Sequence, residues 1–76
     1  MNSEDVIFRL SSASAILAED FNEIDECIHS LSRISDPKEF SNHINAIINH
    51  AESLKLQAEY VKALGFILNE KVGIED

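Results

Sequence analysis

Apolar residues recur through the first half of the chain at alternating spacings of three and four. The series is Ile7, Leu10, Ser14, Leu17, Phe21, Ile24, Ile28 and Leu31, and only Ser14 interrupts it. Such a series lines one face of a helix for about four heptads. Glu19, Glu23 and Glu26 fall on the opposite face, where water solvates them. The spacing predicts a first helix over about residues 5–34. Residues 5–10 also fit a separate short strand or turn, because Ser11, Ser12 and Ser14 are competent later N-caps.

Pro37 is the strongest punctuation in the chain. Proline pushes the preceding residue out of helical geometry and suits the first helical position. Asp36 can cap the new helix and Glu39 can complete a capping box. One helix therefore ends near Ile34 and the next begins at Pro37. A link this short makes the two helices antiparallel neighbours.

A second stripe follows, seven residues apart: Phe40, Ile47, Leu54, Val61 and Leu68. Beside it run Ile44, Ala51, Ala58 and Gly65. This flanking row dwindles to glycine, as at a tight helix crossing. The second helix spans about residues 37–64 if Gly65 caps it, or continues to 71, leaving a frayed tail over 73–76. The fold class is all-α: an antiparallel two-helix hairpin.

Two helices make one seam. The expected seam residues are Leu10, Leu17, Phe21, Ile24, Ile28 and Leu31 on the first helix, with Phe40, Ile47, Leu54, Val61 and Leu68 on the second. Other apolar residues remain outside it, and Ile16, Ile48, Leu56, Tyr60, Phe66 and Ile67 are assigned to a partner or dimer interface. A second copy forming a four-helix arrangement covers them most economically.

Composition supports that arrangement. A chain of 76 residues buries little core and small scaffolds need a staple. Cys27 is the single cysteine, so no internal disulfide is available and a reducing, cytoplasmic setting fits. Two glycines and one proline are too few for an all-β fold. Acids outnumber bases 14 to 6, for a net charge of −8. Phosphate backbones and anionic lipids repel such a surface, so direct nucleic-acid or membrane binding is not expected. The N-terminus, Met-Asn-Ser-Glu-Asp, lacks the basic and apolar regions of a secretory signal.

Candidate chemistry is sparse. Glu26 and His29 have the Glu-x-x-His spacing of di-iron bundles, but their helical phase points away from the seam. His43 and His50 are two turns apart, too far for one metal, and border the stripe with Gln57. The acidic cluster Glu19, Asp20, Glu23 and Glu26 reads as a solvated face or as a docking patch for a basic partner. A rod of carboxylates could also imitate nucleic-acid phosphates. Cys27 lies beside the seam among acids, a poor setting for a reactive thiol. No nucleophile elbow or phosphate loop is present. The expectation is a non-enzymatic interaction module without cofactor (regulator, inhibitor, adaptor or small chaperone). It would work through helix packing with itself and with another protein. The alternatives are a nucleic-acid mimic and a metal-binding four-helix protein.

Overall fold

A computed structural model describes the backbone of residues 2–75 and the side chains of residues 2–71. The chain forms two helices, α1 (Ser3–Leu31) and α2 (Pro37–Glu75), packed antiparallel as a hairpin. No strand occurs among the described residues.

The start of α1 is fixed earlier than the serines would place it. Asn2 has extended geometry, and its side-chain oxygen accepts the Asp5 N–H at 2.9 Å. Glu4 and Asp5 add negative charge where the helix dipole favours it. Residues 5–10 are therefore helical, and the strand alternative falls away. At the other end α1 stops at Leu31, before the expected 34. The N–H groups of Arg33 and Ile34 donate to the carbonyls of Ser30 and Leu31 at 3.0 and 3.3 Å, which tightens the exit. The reversal needs those residues, because Asp36 must already be free to cap. Its carboxylate accepts the Glu39 N–H at 3.4 Å, and its carbonyl accepts the Phe40 N–H at 2.9 Å.

Past residue 64, α2 continues through Gly65 to Glu75. No described glycine has a positive φ, so Gly65 stays in the helix rather than ending it. The helix thus absorbs residues 73–75 of the expected tail, and Asp76 lies outside the described residues. A glycine inside a helix costs roughly 0.5–1 kcal/mol relative to alanine.

The pair is a rod of 59 × 14 × 14 Å with a radius of gyration of 17.3 Å. A compact chain of this length would have about 11 Å. A hydrogen bond between Asp20 and His50 sets the register. The same offset brings Val6 level with Leu64, Ala13 with Gln57, and Cys27 with His43. On each helix these residues form a central row, buried at Val6, Ala13, Asp20 and Leu64.

This central row displaces part of the expected seam. Leu10, Leu17, Ile24 and Leu31 are half-buried on α1, as are Ile47, Leu54, Val61 and Leu68 on α2. Phe21 is 62% exposed, however, and Ile28 and Phe40 are exposed as well. The apolar stripe of α1 is three rows wide, and one partner helix can cover only two. The hairpin centres on the row of Val6, Ala13, Asp20 and Cys27, leaving the Ile7–Phe21–Ile28 row outside. Polar Asp20 makes that central row look less like core in the sequence, but α2 supplies what it needs.

Candidate functional site

Two features stand out along the rod. The first is the polar rung at its middle. Asp20 is 6% exposed, so it belongs to the core and not to the expected docking patch. The His50 Nδ1–H donates to its Oδ1 at 2.9 Å, and the Ser53 hydroxyl donates to its Oδ2 at 2.6 Å. His50 and Ser53 are one turn apart on α2, so both reach the same carboxylate. Charge-assisted bonds of this kind satisfy the buried group. The Ser53 hydroxyl first, and His50 second, hold the Asp20 carboxyl below the usual range. The serine bonds to the carboxylate, whereas a nucleophilic relay requires serine on the imidazole. The rung therefore aligns helices; its wiring does not activate a hydroxyl.

The second feature is an uncovered apolar face. On α1 the aliphatic row Leu10, Leu17, Ile24 and Leu31 is flanked by Ile7, Ser14, Phe21 and Ile28. On α2 the row Ile47, Leu54, Val61 and Leu68 is flanked by Ile44, Ala51, Ala58 and Gly65. The Arg9 guanidinium donates to the Tyr60 hydroxyl at 3.3 Å across the opposite side of the hairpin, and that contact favours the charged guanidinium. With Arg9 and Tyr60 on one side, helical phase places both flanking rows on the other. The result is one largely apolar side of the rod, interrupted at Ser14, with Ile7, Phe21 and Ile28 standing as ridges on α1 and Ala51, Ala58 and Gly65 small on α2 beyond Ile44. Apart from its own turn of helix, nothing among the described residues lies within 4 Å of a Cβ built on Gly65.

The surface area gives this face a scale. The chain exposes 5677 Å². An 8.5 kDa folded monomer is expected to expose about 4,700 Å². The surplus of about 1,000 Å² belongs to the whole elongated rod, and it is of the same order as the ~800 Å² that each partner contributes to a stable interface.

The residues assigned to an interface do not form one patch. Ile16, Tyr60 and half-buried Ile67 lie on the Arg9 side, and Ile48 rims the apolar face. Phe66 points outward, as does Leu56, which is 65% exposed. Leu56 lines an open groove with Glu52, Lys55 and Glu59. Scattered apolar residues of this kind are ordinary on small proteins. Of the flanking rows, Phe21 and Ile28 were expected in the seam and Ile44, Ala51, Ala58 and Gly65 at a tight crossing; the structure places both rows beside the seam, on the uncovered face.

Glu19, Glu23 and Glu26 are exposed on α1, clear of the seam. His29 is exposed, and its Nδ1–H donates to the Asp25 carbonyl at 2.7 Å within its own helix. The His43 Nδ1–H likewise donates to the Glu39 carbonyl at 3.0 Å. Among the described residues, no group of three or more His, Cys, Asp or Glu is placed to hold a metal. Nor is any described helix long and apolar enough to cross a membrane. No protein-family model, curated protein or solved structure matches this chain.

Proposed function

We propose that this protein is a non-enzymatic interaction module that works by packing its uncovered helical face against another polypeptide. Self-association into a four-helix arrangement is its basic form, in a reducing, cytoplasmic setting. One observation carries this reading: a largely apolar side, bordered by exposed Phe21 and Ile28, on an elongated chain with about 1,000 Å² of surplus surface. Among the described residues, only Val6, Ala13 and Leu64 are fully buried hydrophobics, a thin core for a chain alone.

The acidic back of α1 supplies a second contact zone. Between Ser3 and Leu31 there are seven acids against Arg9 alone, whereas α2 carries five acids and four lysines. Glu19, Glu23 and Glu26 would steer a partner with a basic surface. The one-sided placement of these charges supports a docking patch over imitation of a double-stranded phosphate array.

Sedimentation from low to high micromolar concentration tests the reading. A concentration-dependent shift from one chain to two, abolished by Phe21→Glu with helicity retained, is the expected result. A folded species that stays monomeric throughout, and whose Phe21→Glu variant behaves identically, would remove it.

A further inference from the structure

We infer that the occupant of the apolar face is a second copy of this chain, oriented so that the two-fold axis runs along the rod. Each α1 then lies over its partner's α2, and both 32–36 loops sit at the same end. This inference rests on the proposed self-association and adds its geometry.

Two rod-shaped hairpins can meet face to face by two symmetric routes. With the axis along the rod, α1 covers the partner's α2. With the axis across the rod, α1 covers the partner's α1, and the loops point in opposite directions.

Side-chain size separates the two. The register places Ile7 level with Gly65, Ser14 with Ala58, Phe21 with Ala51 and Ile28 with Ile44, each within about 3 Å at 1.5 Å per residue. A two-fold axis along the rod preserves these levels. Phe21 then stands over the partner's Ala51, and Ile7 over the partner's Gly65. Ridge meets furrow at two of the four levels, Ile7 over Gly65 and Phe21 over Ala51, while Ser14 over Ala58 pairs small with small and Ile28 over Ile44 pairs two isoleucines at the loop end. The crossed route sets bulky row on bulky row and small row on small row, producing clash on one side and voids on the other.

Gly65 fits this placement independently. It lies inside a continuous helix, its φ is not positive, and, its own helical turn aside, no atom of the described residues comes within 4 Å of the Cβ position. Nothing within the hairpin calls for glycine there. Close approach of an outside side chain does.

Charge points the same way. Next to the flanking rows, the rim of α1 carries Glu4 and Asp25, and the rim of α2 carries Lys55 and Lys62. Along-rod symmetry sets Lys62 within about one helical turn of the partner's Glu4. The crossed route pairs the seven-acid helix with itself and lysine rim with lysine rim. Like charges brought together in this way oppose association.

The test is a distance between two spin labels in the full-length chain. The label is attached at Ser35→Cys, an exposed loop position, in a Cys27→Ser background. Loops at one end place the labels under about 30 Å apart, since packed helix axes are ~8–10 Å apart. Loops at opposite ends place them more than about 40 Å apart, the length of 29-residue α1 at ~1.5 Å per residue. The short distance is the expected result. A long distance in a sedimenting dimer overturns the orientation while leaving self-association standing. No intermolecular distance, with a monomer by sedimentation, overturns the second copy as occupant.

Discussion

Replacing Gly65 with alanine separates what the hairpin needs from what its face meets. Within one chain the added methyl touches nothing within 4 Å. Gly65 is helical, so alanine should stabilise α2 by about 0.5–1 kcal/mol through helix propensity. For a domain of this size, 1 kcal/mol corresponds to a rise in Tm of roughly 4–8 °C. The effect on association has the opposite sign. If the partner's Ile7 seats over Gly65, the methyl overpacks a close contact at a cost of about 1–3 kcal/mol. The dissociation constant should then rise roughly 5- to 150-fold. Folded monomer and dimer both contain the alanine helix, so the helix gain cancels in that constant and only the contact remains. Circular dichroism on dilute samples reads the first effect, and sedimentation equilibrium reads the second. Unchanged self-association would refute close approach at Gly65. Loss of stability in dilute samples would refute a continuous helix through that residue.

Other outcomes follow from the same geometry. Phe21→Glu should weaken self-association by at least tenfold, about 1.4 kcal/mol. Its effect on hairpin stability should stay within ~0.5 kcal/mol, since Phe21 is 62% exposed; circular dichroism beside sedimentation checks both. Leu64→Ala removes the largest fully buried side chain and should cost about 2–4 kcal/mol in urea unfolding. A loss under ~1 kcal/mol would mean that Leu64 is not core. Asp20 faces His50 and Ser53, and its folded pKa lies below the unfolded value of about 3.9. Its contribution is therefore complete above that unfolded value and fades as pH falls through the lower folded one. Asp20→Asn should flatten this acid limb in a helicity titration, and superimposable wild-type and variant curves below pH ~4 would contradict it. Changing Glu19, Glu23 and Glu26 to Gln should leave the hairpin intact and reduce the salt dependence of binding to a basic protein. An unaltered salt slope would remove these residues from the contact.

The fold was readable because its signals agree. Asp36-Pro37 marks the reversal, and the heptad spacing on both sides demands helices that face each other. The choice among adjacent rows was not readable from one helix at a time. Phe21 and Ile28 are more apolar than Asp20 and Cys27, so hydrophobicity alone favours the wrong row. The decisive information is pairwise: Asp20 becomes a core residue because His50 and Ser53 stand opposite. His43, His50 and Gln57 do form a row beside the stripe, and matching that row with Asp20 was the available clue. Gly65 carried two meanings, cap or contact. Its neighbours Phe66, Ile67 and Leu68 continue the apolar phase, which favours an uninterrupted helix.

The rung at Asp20 also limits how this rod can be mispaired. Greasy helices tolerate sliding by a full heptad, because each layer resembles the next. Shifted one way, Asp20 would meet His43 with Ala46 where the serine should be; shifted the other, it would meet Gln57. The first offset strands a carboxylate oxygen away from water, at a desolvation cost that apolar layers never impose, and the second replaces the imidazole and the short serine hydroxyl with the Gln57 amide and the much bulkier Tyr60. A single hydrophilic tooth in an oily zipper thus keeps α1 and α2 in step, even should hairpins open and trade arms with a neighbour.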